Sequence, residues 1–491
     1  MIRNDRPRII MFAAEASPYA KVGGLADVLA SLPKELEKLG AKPSIVIPAY
    51  KTVQRDKFDI LPCRRVPGLD IPMGSKIERA EIFQTRLNHT GVDVYLIGSS
   101  KYFDRNGIYD DPATQEGYPD NMERFIFLMK AGLELLMKLA TPVDIIHCHD
   151  SHTALIPGLI HTNFSRVPFF ANVKTLFTIH NLAYQGIYST DSLYYAGIDG
   201  SHFYPMSPFE YSNKVNFTKV GIVFADKVNT VSRTYALEIM NNPEFGMGLE
   251  GVLQSRRQDV CGIVNGIDND EWNPETDPLI AANFSVRDIS GKMKCKEDLL
   301  RCFRLPRFQS PAPLIGIVSR LAYQKGFDLI EEAIAEIASL NLQLVVLGTG
   351  QKKYHEMFRK LASEHPHKVA VRLAFDNELA HKIEAGCDMF LMPSRYEPCG
   401  LNQLYGLRYG TIPIVRSTGG LADTVADNDQ GKGTGFRFTE YSAGAMISAI
   451  EKALIAYSDQ TRWRSLMIRA MSQDWSWRKS ARKYMELYLN M

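Results

Sequence analysis

Between Pro313 and Val415 the chain alternates short, unbroken apolar runs with amphipathic stretches, a rhythm that few folds accommodate. Leu314–Val318, Leu342–Leu347, Val369–Leu373, Met389–Met392 and Ile412–Val415 read as strands. Between them, Phe327–Leu340, Gln351–Ala362, Glu378–Ala385 and Gly400–Tyr409 read as helices, the first with Leu329, Ile330, Ala333, Ile334 and Ile337 on its inner stripe. Strands apolar throughout are buried on both faces, which calls for a parallel sheet with helices above and below it. The first half repeats the grammar with longer insertions: strands at Arg8–Ala13, Ser44–Ile47, Val92–Ile97, Asp144–Cys148 and Thr175–Ile179, and helices at Leu25–Leu39 and Phe125–Leu139. Pro33 is expected to kink the first of these helices and Gly40 to close it. The fold class is therefore α/β, with two Rossmann-like doubly wound domains: 1–260, then 261–472. The turn-rich segment Asp268–Pro278 lies near their junction, and an amphipathic helix at 473–491 packs on its own domain or crosses back to the first.

The pentapeptide Gly-Gly-Leu-Ala-Asp occurs twice, at Gly23–Asp27 and Gly419–Asp423, each time after an apolar run and before a helix-like stretch. Paired glycines at a strand-to-helix turn let backbone approach a ligand and aim helix N–H groups at an anion. In open α/β sheets ligands bind beyond the carboxyl ends of the strands. Sorting residues by that rule gathers Lys21, Gly23 and Gly24 after the first strand, then His147, His149 and Asp150, then His180 and Asn181. In the second half it gathers Arg320, Lys325, Glu397 and Thr418–Gly420. Three cations beside two anion-binding turns suit a diphosphate. Each has a plainer alternative: Lys21 as a solvated surface lysine, Arg320 and Lys325 as a surface loop, Glu397 as a carboxylate favouring a helix dipole. His147 and His149 share one face of a strand, as two metal ligands would, but no third ligand is evident and no metal is expected. Asp268-Asn269-Asp270 and Asp427-Asn428-Asp429 read as turns.

With 57 Lys plus Arg against 55 Asp plus Glu, the 491-residue chain has a net charge of +2 and no footprint for nucleic acid or an anionic membrane. Seven cysteines without a Cys-x-x-Cys argue against a disulfide framework or a zinc site. Arg3, Asp5 and Arg6 precede only a short apolar run, so no signal peptide is expected. No apolar run approaches the roughly 20 residues of a membrane span, and the reducing cytoplasm is the expected location.

Longer segments carry a resemblance. They are Lys21–Asp27, His180–Gly186, Asn265–Asp268, Ser319-Arg320-Leu321 with Gln324-Lys325-Gly326, Pro393–Leu401 and Ser417–Leu421. In order, and over nearly the whole length, they resemble the bacterial glycogen synthases and starch synthases, retaining glucosyltransferases of the GT-B architecture (family 5), whose two Rossmann-like domains face a central cleft. The resemblance implies glucosyl transfer from ADP-glucose to the non-reducing end of an α-1,4-glucan such as glycogen, with no cofactor and no metal. It implies that Lys21, Gly23, Gly24, Asp27, Asn181 and Asn265 contact substrate. Arg320 and Lys325 would neutralise the diphosphate, Thr418, Gly419 and Gly420 would donate to the distal phosphate, and Glu397, beside Cys399, Gly400 and Leu401, would hold glucose hydroxyls. Asp150 and His180 would surround the reacting sugar, His180 against its 6-hydroxyl and anomeric centre. The chain departs from the family at Ser151, where Trp is usual, at Phe375, where many relatives place the Tyr that stacks on adenine, at Met247, and at Arg233. Tyr405, in place of a second acid, is shared with the synthase subgroup. Open alternatives are a UDP-glucose or short-acceptor transferase, a sugar-nucleotide epimerase, and a silent glucan-binding protein.

Overall fold

Val345 and Leu347 pack into one apolar cluster while Leu344 and Val346, one residue along the same strand, pack into another. Successive side chains on a strand point to opposite faces, so a strand apolar at every position holds two cores apart. The computed structural model, which describes residues 6–307 and 312–491, builds this arrangement twice; Arg3 and Asp5 lie outside the described residues.

The chain divides into two units. One comprises residues up to Val231 with Ala236–Ile263 and Trp477–Met491; the other comprises Ser232–Tyr235 and Val264–Ser476. In the first unit the sheet runs, from one edge, Val260–Gly262, Lys227–Thr230, Lys174–Ile179, Ile145–His149, Arg8–Phe12, Lys42–Pro48 and Asp93–Gly98, all parallel. Lys76–Arg86 extends it antiparallel and carries Gly68–Met73 and Leu61–Pro62. In the second unit six parallel strands run Val369–Arg372, Gln343–Leu347, Leu314–Val318, Met389–Met392, Ile412–Arg416 and Phe436–Phe438.

Among the parallel strands, strand order reverses direction once in each sheet: between Arg8–Phe12 and Ile145–His149 in the first, and between Leu314–Val318 and Met389–Met392 in the second. At such a switch point the loops leaving two adjacent strands diverge to opposite faces and leave a crevice at the carboxyl edge. The loops so placed are Ala13–Gly23 and the turn at Asp150 in one unit, and Ser319–Gly326 and Pro393–Leu401 in the other.

Two helices differ from the sequence pattern. Phe327–Leu340 is not continuous: it forms Phe327–Glu332 and Ile334–Ser339, because Ala333 leaves the helical region at φ −97°, ψ 18°. The inner stripe survives the break, with Leu329, Ile330, Ala333 and Ile337 all buried. The helix expected from Gly400 starts at Asn402, since Gly400 sits at φ +69°, which a right-handed helix cannot contain. Pro33 lies inside helix Gly24–Lys38, and Gly40, at φ +97°, follows its end and donates to Glu37 O. The C-terminal helix is Trp477–Leu489; Tyr484 and Tyr488 are fully buried within the first unit.

Candidate active site

In the first unit the Gly-Gly turn is held from below by a carboxylate. Glu15, 3% exposed, accepts from the backbone N–H groups of Val22 and Gly23, and its other oxygen accepts from the Tyr109 hydroxyl at 2.5 Å. Helix Gly24–Lys38 begins at this turn. The Gly23 N–H, expected to face an anion, is instead taken by Glu15 inside the protein, while the helix start at Gly24 carries no side-chain cap. Lys21 extends over the turn and pairs with Asp27 of the same pentapeptide at 2.6 Å.

Beside it, Asp150 ends strand Ile145–His149 in a left-handed conformation, φ 58°. Its backbone N–H is bonded to Thr178 O, and its carboxylate accepts from the backbone N–H of His180 at 2.7 Å and of Asn181 at 3.4 Å. Asp150 and His180 therefore belong to one constellation, tied through the adjacent strand end. The Asn181 amide oxygen meanwhile accepts from Ala183 N–H and shapes the following turn. His180 Nε2 lies 2.9 Å from Nδ1 of the fully buried His149. His147 and His149 do share a face, their rings 3.9 Å apart. Both nitrogens of His147 are taken, by Tyr488 and Thr178, and among the described residues no group of three or more His, Cys, Asp or Glu could hold a metal.

Burial pushes the Asp150 carboxyl up to about 7, against the two N–H groups that favour its charged form, and Glu15 adds to the rise. Burial pushes His180 down to about 3. The two shifts act oppositely on stability. A carboxyl raised in the folded state favours folding while protonated, and that contribution is lost as pH rises through about 7. A histidine lowered in the folded state favours folding above its unfolded value of about 6.5 and loses that contribution as pH falls toward 3. Asp150→Asn removes only the first effect. Between about pH 4 and 7 the variant should gain on the native chain by up to roughly 1.4 kcal/mol per pH unit. Urea unfolding at stepped pH checks this, and parallel curves would rule out a buried, proton-holding Asp150.

In the second unit, Lys325 ends the loop after Leu314–Val318 and reaches Glu397 in the loop after Met389–Met392, Nζ to Oε2 at 2.6 Å. Ser394 donates to the same carboxylate oxygen at 2.9 Å, and the Gly420 N–H donates to the Glu397 backbone carbonyl at 2.9 Å. Two glycines make this closeness possible: a Cβ at Gly326 would lie 1.9 Å from Pro393 O, and one at Gly420 1.9 Å from Cys399 O. Thr418 is buried and precedes the short helix Gly419–Thr424, Gly419 standing at φ +45°. Cys399 is buried, its thiol pushed up by desolvation, and Leu401 immediately precedes helix Asn402–Tyr409. Asn265 is 5% exposed, and its Oδ1 has no hydrogen-bond partner among the described residues, an acceptor that a bound ligand would satisfy. Arg320 is exposed on the loop that carries Lys325.

The structure thus joins Lys21 with Asp27, Asp150 with His180 and Asn181, and Lys325 with Glu397 and Gly420. Of the three expected cations, Lys21 is paired with Asp27 and Lys325 with Glu397. Phe375 is not drawn into these groups. It stands 86% exposed in the loop after Val369–Arg372, just before Asp376 caps the next helix. Sequence reasoning weighed His149 only as a metal ligand and missed Glu15 and Ser394; all three hold expected residues in place. A lone acid closing the first apolar run was the available signal for Glu15. It also missed Asp423, whose carboxylate accepts from Ser232, Arg233 and Thr234 rather than from a nearby lysine.

Comparison with known proteins agrees with this arrangement. The family described as "Starch synthase catalytic domain" matches residues 8–255, and "Glycosyl transferases group 1" matches residues 304–465. A protein named glycogen synthase from Koribacter versatilis is 45% identical over 98% of this chain and 97% of its own length. Glycogen synthase 2 of Geobacter metallireducens is 43% identical over 98% of both. The catalytic domain of starch synthase IV from Arabidopsis thaliana, solved bound to ADP and acarbose, superposes with a TM-score of 0.90 at 35% identity, covering 99% of both chains. Sucrose-phosphate synthase from Thermosynechococcus elongatus, at 17% identity and a TM-score of 0.56, shares the fold.

Proposed function

The chain belongs to the family of bacterial glycogen synthases and starch synthases, and we propose that it extends an α-1,4-glucan with glucose taken, with retention, from ADP-glucose. It is a hexosyltransferase, acting on a nucleotide-sugar donor and a glucan acceptor. The observation that carries the site assignment is the 2.6 Å contact of Lys325 with Glu397 at a sheet switch point, with the Gly420 amide beside it. A cation, a carboxylate and a helix-start N–H meet where a donor's diphosphate and hexose would lie side by side. ADP in the starch synthase IV complex supports the adenine nucleotide.

The reaction needs no base-nucleophile pair. The bond between C1 of glucose and the diphosphate oxygen breaks, and the acceptor 4-hydroxyl oxygen bonds to C1 on the same face. Its proton passes to the departing phosphate. Charge developing on that phosphate meets Arg320, Lys325 and the turn Thr418–Gly420, where the Thr418 and Gly420 N–H groups are spent on Arg416 O and Glu397 O and brace the turn beside the lysine. Glu397 turns toward glucose hydroxyls once the diphosphate competes for Lys325. Lys21, Gly23, Gly24, Asp27 and Asn265 hold the donor, and Asp150, Asn181 and His180 line the sugar. We assign neutralisation to these cations and to no metal, and place the reaction in the cytoplasm. All seven cysteines are free thiols, five of them buried, which suits a reducing compartment.

The test is nucleotide release and label incorporation with ADP- or UDP-glucose, with and without glycogen, in the presence and absence of a chelator. ADP-glucose should give glycogen-dependent release that survives chelation, and Phe375→Ala should raise its KM by about 10-fold, the loss of one stacking face. Preference for UDP-glucose, or donor turnover without acceptor, would overturn the reading.

A further inference from the structure

His149 Nδ1 and His180 Nε2 lie 2.9 Å apart, one proton must lie between them, and the surroundings decide which ring owns it. We infer that His149 is a positioning residue that donates this proton and so holds His180 as the tautomer carrying its hydrogen on Nδ1. The inference rests on the assignment of His180 to the reacting sugar, and goes beyond it by stating what His180 can do there.

Burial keeps His149 and His180 neutral, so each ring carries a single hydrogen. If His180 donated from Nε2, the hydrogen of His149 would sit on its own Nε2. That atom is buried and has no hydrogen-bond partner among the described residues. The chain would then hide an unmade N–H donor. In the other arrangement the hydrogen of His149 lies on Nδ1, inside the contact, and Nε2 is only a bare lone pair. Orphaned buried donors are rarer than under-satisfied acceptors, so the second arrangement is favoured. His147 does not alter this choice: its ring lies tilted against that of His149, but its own nitrogens are bonded to Tyr488 and Thr178. The hydrogen bond at one ring nitrogen thereby sets the state of the other.

His180 is then a neutral donor through Nδ1, with Nε2 occupied as acceptor. It can hydrogen-bond to an oxygen of the hexose, including one that gains negative charge, and it cannot take a proton through Nε2. His149 does this from behind, without touching substrate.

The experiment is nitrogen-15 NMR of the full chain labelled at histidine, with His180 assigned through the signals lost in His180→Gln. Protonated Nδ1 and bare Nε2 on His180 are expected; protonated Nε2 would overturn the inference, whatever the protein transfers. In kinetics, His149→Leu should lower kcat by about 10–100-fold with KM changed little, by analogy with residues that orient metal-bound histidines. His149→Asn, whose amide N–H can stand near the place of Nδ1–H, should recover most of that loss. Equal kcat for His149→Leu and the native chain would refute the positioning role. Should transfer activity be absent altogether, the ring spectra still decide the tautomer, so failure of the functional reading and failure of this inference are told apart.

Discussion

Lys325→Ala should lower glucosyl transfer by about 10²–10³-fold while leaving the chain folded, the cost of losing one fixed group that meets developing charge. The two effects separate because the cost to stability, though real, is smaller than what holds a whole unit together. Lys325 keeps 22% of its side chain exposed and Glu397 only 7%, so the pair is largely buried, and removing the lysine strands a carboxylate at a cost of about 3–5 kcal/mol. Glu397 also keeps the Ser394 hydroxyl when the lysine is removed. Thermal unfolding of the second unit should fall by about 10 °C, with the chain still folded at the assay temperature, where turnover collapses. A second variant sharpens the test. If Lys325 and Glu397 act as one unit in transfer, the loss in Lys325→Ala with Glu397→Gln should fall well short of the two single losses combined. Transfer by Lys325→Ala within a few-fold of the native rate would end the phosphate-clamp assignment.

Ending the chain after Ser476 should unfold the first unit, although the residues removed are the last in sequence. Trp477, Ala481, Tyr484, Met485 and Tyr488 are all buried there. Two of them also make buried polar contacts: Tyr488 hydroxyl with His147 at 2.8 Å, and Tyr484 hydroxyl with the Asn229 amide at 3.1 Å. Losing each large aromatic from a core costs about 3–5 kcal/mol. Three such losses match or exceed the roughly 5–15 kcal/mol that holds a typical domain together. Calorimetry should show one transition abolished and the other, from the unit around Val264–Ser476, retained. An unchanged melting profile would show that the helix is dispensable.

What could be read in the sequence was whatever repeats locally. Apolar runs such as Gln343–Leu347 declare a doubly covered strand, and the glycines at Gly23 and Gly419 declare close backbone approach. The hairpin Gly68–Met73 with Lys76–Arg86 escaped notice because one face is exposed and its charged residues dilute the apolar count. Short strands such as Lys227–Thr230 escaped because four residues carry little pattern. Within the site, what was hidden is pairing across long sequence separations. Nothing near Glu15 announces Tyr109, 94 residues away, and nothing near Asp423 announces Ser232. The duplicated pentapeptide makes the point by itself. Its two aspartates share the four residues before them, yet Asp27 holds a lysine six residues before it and Asp423 holds backbone from a distant loop.

The place of Tyr484 and Tyr488 also sets a timetable. The first unit cannot close its core until helix Trp477–Leu489 exists, and Val264–Ser476 must be translated in between. At roughly 5–20 residues per second that interval is on the order of 10–40 s. For that time the seat of the missing helix, beside His147 and Asn229, stays open on the nascent chain. The second unit, already complete, can fold first, which reverses the usual N-terminal-first order of folding during synthesis.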